Sequence, residues 1–379
     1  MSDAHATLAA TPPINDRLWS NHVRHLTPYI PGEQPKHDHL CKLNTNENPF
    51  PPSPKVAHAI AQVLANQADS LKLYPAPESN ELREVMAQVY QVNENQIFVG
   101  NGSDEVLAHI FACFFIKDRP VLTPDIGYSF YPVYADTFNV NLAKIALKTD
   151  FTIDVDDYRR PCSGIIIANP NAPTGILLPL ADIEKLLKEH PNAVIVIDEA
   201  YIDFYDGTFA DTPTASAVSL INAYDNLLVT QSFSKSRSLA GLRVGMAFGN
   251  YSLIEALNRY KNSFNSYPLD RLAQAGAIAS LQDSAYFADC CQKVIALRTA
   301  LISDLQALGF SVLPSQANFI FARPPVAMGA TKQVFEKLRE QGVIVRHFDK
   351  PKISDYLRIT VGTSEQNQQL IQTLKNLKL

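Results

Sequence analysis

The chain is poor in the features that would tie it to a membrane, a disulfide scaffold or nucleic acid. Its five cysteines (Cys41, Cys113, Cys162, Cys290 and Cys291) are odd in number and show no Cys-x-x-Cys spacing, so neither a disulfide framework nor a zinc knuckle is suggested. A reducing compartment fits best. No uncharged apolar run approaches the ~18 residues of a membrane span, and residues 1–13 lack a basic stretch followed by an apolar one. These absences point to the cytoplasm. There is no long basic run either, and the net charge of −5 argues against a nucleic-acid footprint. Ala193–Glu199 has the form of a Walker-B strand, yet none of the fifteen glycines is followed by lysine, so the matching P-loop is missing. Gly100-Asn101-Gly102 opens like a dinucleotide fingerprint, but Glu105 stands where the third glycine belongs.

What is present is a long alternation of strands and helices. At 379 residues and 46% hydrophobic content the chain exceeds the ~250–300 residues at which a single core stops growing, which predicts two domains. The first forty residues, rich in Pro, His and polar side chains, read as an arm, and Pro49 to Pro54 as a turn-rich connector. From there short apolar runs recur at Gln96–Val99, Pro120–Thr123, Gly164–Ala168, Ala193–Ile197 and Asn226–Thr230. Runs of this kind suit a parallel sheet buried on both faces, hence an α/β fold. After about Asp270 the pattern changes to a smaller α+β unit with strands Asn318–Ala322, Val343–Arg346 and Tyr356–Val361, a helix Thr331–Gln341 and a final helix from Ser364. The expected division is an arm over 1–53, a large domain over 54–275 and a small one over 276–379.

The chemistry lies at the strand ends. Lys235, in Ser232-Phe233-Ser234-Lys235, is a candidate Schiff-base amine, and Asp198 is a carboxylate able to hold a pyridine nitrogen protonated. A phosphate on the same cofactor asks for hydroxyls, backbone N–H groups and an arginine fork, which Ser232, Ser234 and Arg243 supply. Together these residues indicate a pyridoxal phosphate site. Ser103, at the start of the helix after Val99-Gly100-Asn101-Gly102, is either a second phosphate contact or a plain N-cap, with Asp104 and Glu105 favouring the helix dipole. Asn169-Pro170-Asn171-Ala172-Pro173-Thr174-Gly175 specifies a tight loop whose amide, or Tyr201, would touch the ring oxygen. Tyr128 and Tyr131 each offer a ring to stack on the pyridine or to fill core. Arg346 and Arg358, at strand ends of the smaller unit, suit bidentate capture of a carboxylate or phosphate, although alternation alone also allows solvated arginines.

As a set, the Asn169–Gly175 loop, Asp198-Glu199-Ala200-Tyr201, Ser232–Lys235 with Arg243, and Leu357–Thr363 resemble fold-type I pyridoxal phosphate-dependent aminotransferases. Leu26–Gly32, Leu43–Pro49 and Tyr74-Pro75 extend the resemblance to essentially the whole chain, toward the branch acting on histidinol phosphate. The resemblance implies a mostly parallel seven-stranded sheet between helices with a smaller α+β domain, and a homodimer with a shared active site. It implies transfer of an amino group between L-histidinol phosphate and 2-oxoglutarate in histidine biosynthesis. Catalysis would rest on Lys235, Asp198 and Tyr201. Gly102, Ser103, Asp104, Tyr128, Asn171, Ser232, Ser234 and Arg243 would complete the cofactor site, and no metal is expected. Tyr29, Asn46, Arg346, Arg358 and a Tyr74 lent by the partner would hold substrate. Aromatic aminotransferases and threonine-phosphate decarboxylases share the fold and are the nearest rivals; a non-catalytic ligand-binding module is the remote one. The family's usual loop has asparagine before Pro-Thr-Gly, where this chain has Ala172, so Asn171 or Tyr201 would have to carry that contact.

Overall fold

The computed structural model describes residues 16–30, 32–33, 40–208 and 215–377; residues 1–15, on which the expectation about the N-terminus mainly rests, lie outside them. A two-residue strand, β1 (Cys41–Lys42), precedes a seven-stranded sheet. Its strands are β2 (Ile97–Asn101), β3 (Val121–Pro124), β4 (Leu142–Ile145), β5 (Gly164–Ala168), β6 (Val194–Asp198), β7 (Leu227–Ser232) and β8 (Val244–Gly249), in spatial order β2-β8-β7-β6-β5-β3-β4. β8 alone runs opposite to the other six strands.

The apolar strands behave as their composition requires. Ile165, Ile167, Ile195, Ile197 and Val229 pack into one cluster, while the alternate Ile166, Val196 and Leu228 pack into another. Both faces of the sheet are therefore covered, each such side chain contributing about 1.5–3 kcal/mol on burial. Register then fixes the site, because Ala168, Asp198 and Thr230 are mutual partners at the carboxyl ends of three adjacent parallel strands. In an open α/β sheet this is the edge on which ligands bind.

A four-stranded antiparallel sheet lies toward the C-terminus, built from β9 (Ser311–Val312), β10 (Phe319–Arg323), β12 (Arg346–His347) and β13 (Leu357–Thr360) in the order β12-β13-β10-β9. The intervening β11 (Val343–Ile344) pairs in parallel with β1. One continuous strand over Val343–Arg346 was expected, and this is corrected: Val343, Ile344 and Val345 are all buried, which a strand with one wet face would not do. The chain crosses between two sheets at Val345 and brings Arg346 opposite Arg358.

The long helix Ser284–Ala307 ties the two sheets together. Its buried Arg298 donates to the carbonyls of Phe204 at 2.8 Å and Ala317 at 2.9 Å and pairs with Asp206, so the segment after Asp198 is anchored to the approach to β10.

Candidate active site

Lys235 follows directly from β7. Phe233 is fully buried and fixes the turn: its N–H donates to the Val244 carbonyl, and its carbonyl accepts from Leu239. Asn48 adds two bonds, donating to the carbonyls of Lys235 and Ser236 at 3.0 and 3.2 Å. The ammonium is left facing the cavity, where Nζ donates to the Thr45 carbonyl at 3.2 Å and lies 5.8 Å from the centre of the Tyr201 ring. Asp198, one strand away, is 5% exposed. Its Oδ2 accepts from the Tyr131 hydroxyl at 2.9 Å and its Oδ1 from Thr230 at 3.1 Å. Burial outweighs these bonds and raises its carboxyl to about 6. A buried carboxylate bonded to two hydroxyls and the Ala200 N–H, with no cation against it among the described residues, is a position that suits a positive charge on a ligand.

The opposite wall is an anion cradle. The helix Gly102–Ile110 begins in Gly102 at φ +83°, and its first turn, whose N–H groups have no acceptor within the helix, lines the cavity through Ser103 and Asp104. Its N-cap is Asn101 rather than Ser103, and the Asn101 N–H is held by Glu105 Oε2 at 2.5 Å. This corrects the plain-cap alternative for Ser103, which sits inside the first turn and lines the cavity with Asp104, Ser232, Ser234 and Arg243. Gly102 stands behind them: a Cβ there would overlap the Arg243 guanidinium. Arg243 Nη2 pairs with Asp104 Oδ2 at 2.9 Å, a half-exposed bond that orients the fork. Hydroxyls, helix N–H groups and a guanidinium are the donor set of a phosphate site.

Across the cavity stand two arginines. Arg346 and Arg358 are paired cross-strand residues and neither has an acidic partner among the described residues. Like charges placed opposite each other are unfavourable, and Arg358 also carries a buried Nε with no partner. Its Nη2 donates to the Asn44 carbonyl at 2.8 Å, and the guanidinium lies over the rings of Phe319 and Phe348 at 5.5 and 5.6 Å. Burial lowers its proton affinity. Such a pair has the charge and the open donor that suit a bidentate anion. Tyr29, Asn46, Tyr128 and Tyr201 line the same cavity of about 240 Å³, which adjoins a second of about 290 Å³ sharing Tyr29, Tyr128, Ala172, Arg346 and Arg358.

Two expected residues stand apart. Asn171 is buried and does not line the cavity; its Nδ2 donates to the Ile126 carbonyl at 3.0 Å and to Thr174 at 3.1 Å, so it builds the loop. The reason is geometric, since the loop turns Ala172 toward the cavity instead. Tyr74 is 78% exposed and stacks on Tyr267 at 4.6 Å, away from this chain's cavity. Sequence reasoning in turn missed the bond from Tyr131 to Asp198, the hydroxyl of Thr230 and the tether from Asn48. Thr230 follows from strand pairing with Asp198, a signal that a parallel sheet makes available; Tyr131 carries none beyond being a buried tyrosine that needs a partner.

The chain belongs to the class I and II aminotransferases: the family model "Aminotransferase class I and II" matches residues 38–374. A relative 68% identical over 96% of this chain and 97% of its own is named Histidinol-phosphate aminotransferase 2, from Psychrobacter arcticus. Among solved structures, histidinol-phosphate aminotransferase from Sinorhizobium meliloti, in complex with pyridoxal-5'-phosphate, superposes with a TM-score of 0.79 at 21% identity over 89% of this chain and 91% of that one. L-threonine-O-3-phosphate decarboxylase from Porphyromonas gingivalis gives 0.73 at 24% identity over 88% and 98%. At such identities the likeness shows the fold, which is host to both chemistries.

Proposed function

We propose that this protein is a pyridoxal 5'-phosphate-dependent transaminase that moves the amino group of L-histidinol phosphate to 2-oxoglutarate, giving imidazole acetol phosphate and L-glutamate in histidine biosynthesis. The observation that carries it is the convergence in one cavity of Lys235, Asp198 and the arginines Arg346 and Arg358, which have no acidic partner among the described residues. The relative at 68% identity supports the choice of donor. Bound there, the cofactor would supply an electron sink for the substrate carbon that loses its proton.

The side chains of this chain do the rest. Among the described residues Lys235 is the one lysine lining the cavity of about 240 Å³, and its Nζ would hold the cofactor and then carry the proton between the two carbons. Asp198 would keep a pyridine nitrogen protonated, the positive charge its burial lacks. Tyr201 would donate to the ring oxygen, and Tyr128 would cover the ring. Ser103, Ser232, Ser234, Arg243 and the N–H groups behind Gly102 would hold the phosphate, with Asp104 orienting Arg243. Arg358 would take the substrate's anionic end, aided by Arg346 and Tyr29. Arg346 and Arg358 both line the second cavity as well, where Lys144 and Lys350 add positive charge suited to a doubly charged substrate.

The same reading takes the protein as a cytoplasmic homodimer of arm, large and small domains. All five cysteines are free thiols, and no helix among the described residues is long and apolar enough to cross a membrane. Leu71, Leu73, Tyr74 and Phe264 are exposed together with Tyr267, a surface suited to a second copy whose site Tyr74 would enter. Turnover of a substrate panel tests the assignment. Glutamate should form from 2-oxoglutarate with histidinol phosphate at a far higher kcat/KM than with phenylalanine or tyrosine, and threonine phosphate should not be decarboxylated. Equal use of phenylalanine would reassign the enzyme to aromatic substrates.

A further inference from the structure

Asn46 is 1% exposed and is held in the left-handed region at φ +57°. Every polar group it has is engaged. Its N–H donates to Thr360 Oγ1 at 3.0 Å, its carbonyl accepts from Asn318 Nδ2 at 3.0 Å, its Oδ1 accepts from the Thr360 hydroxyl at 3.1 Å, and its Nδ2 donates to Tyr201 Oη at 3.0 Å. A threonine hydroxyl has one proton. Given to Oδ1, it fixes the amide with oxygen toward Thr360 and nitrogen toward Tyr201. The phenol oxygen therefore receives a bond from Asn46, and its own proton must point elsewhere. The open direction is the cavity, which Tyr201 lines together with Asp198 and Lys235.

We infer that Asn46, locked by Thr360, is a positioning residue that turns the Tyr201 phenolic proton into the cavity and makes the phenol a one-way donor to the cofactor's ring oxygen. The inference rests on the function proposed above. It gives Asn46 a role through Tyr201 instead of a direct contact with substrate. It also ties that donor to the strand of the arginine clamp, since Thr360 and Arg358 both lie on β13 and strap neighbouring residues, Asn46 and Asn44. A donor to the ring oxygen stabilises its anion, so weakening the donor raises the proton affinity of the bound cofactor.

The test is the pH midpoint of the visible absorption change in the protein loaded with pyridoxal phosphate. Asn46→Gly removes the amide and keeps a residue at ease with positive φ, so the fold is retained. Its midpoint should rise by about half a pH unit to one unit, the worth of one neutral hydrogen bond. Asn46→Asp puts an acceptor where the donor was and should raise it further, and cofactor titration of the stripped protein should show weaker binding in both variants. Tyr201→Phe should raise the midpoint as well, and adding Asn46→Gly to it should change nothing more. An unmoved midpoint in Asn46→Gly, or the same shift with and without Tyr201, would overturn the inference. A wild-type protein with no cofactor band at all would instead overturn the function on which it rests.

Discussion

Asp198 and Glu199 are adjacent buried carboxyls with opposite duties. Desolvation, partly offset by hydroxyl and amide donors, raises Asp198 to about 6 and Glu199 to about 7. Glu199 is held by Ser216, Gln231 and the Ala217 N–H, so it serves the scaffold while Asp198 faces the cavity. Both groups bind protons more tightly folded than unfolded. Their contribution to stability is thus full below the ordinary carboxylate range near pH 4 and is lost as pH rises through about 6 and 7. Between pH 5 and pH 8 the cofactor-free Asp198→Asn protein should lose less stability than wild type, a difference that separates this carboxyl from the buried His109, whose imidazole is lowered to about 4 and works in the opposite sense. A wild-type slope that Asp198→Asn leaves unchanged would contradict the burial cost assigned to this residue. Arg358→Ala should raise KM for amino donor and keto acid alike by about 10–100-fold, the worth of a charged hydrogen bond. Unchanged KM for both would remove Arg358 from the site.

At the level of elements, what was legible depended on pattern strength. β5 and β6 announce themselves as unbroken apolar runs, and Asp198 at the end of one is a strand-end acid by inspection. β4 and β8 do not. β4 is a half-buried edge strand, and β8, Val-Gly-Met-Ala-Phe-Gly, spends two of six positions on glycine, the residue that most weakens a strand signal. The structure gives the reason for one of them. A Cβ on Gly245 would overlap the backbone of Gly102 and Ser103, so the glycine lets β8 touch the start of the helix Gly102–Ile110. Gly245→Ala should cost about 1–3 kcal/mol of stability and weaken cofactor binding, measured by denaturant unfolding and by titration of the stripped protein. Binding equal to wild type would show that this contact does not shape the cradle. Arg358 was equally ambiguous from alternation, because a strand face opposite the core can meet water or a cavity; only the pairing with β12 and the fold around Phe319 decide it.

The whole molecule is where the sequence is quietest, since contacts between distant segments leave no local periodicity. The Arg298 tether, the loop role of Asn171 and the Asn46-Tyr201 bond each join residues that only the fold brings together. The proposed sharing of the site between two copies belongs to this scale and can be tested by complementation. Lys235→Ala and Tyr74→Ala homodimers should be inactive and strongly impaired, respectively. Mixed and refolded together, they should recover about a quarter of wild-type activity, because half of the dimers then carry one intact site out of two. Activity no higher than that of the Tyr74→Ala protein alone would show that Tyr74 does not cross between subunits.

The most direct test of transamination at Lys235 is a visible absorption spectrum of the purified protein with pyridoxal phosphate, before and after L-histidinol phosphate is added without any keto acid. The band of the lysine-bound cofactor should disappear in a single turnover and return on addition of 2-oxoglutarate, and Lys235→Ala should lack it from the start. A band that histidinol phosphate leaves intact, or a Lys235→Ala protein that still turns over, would contradict the assignment.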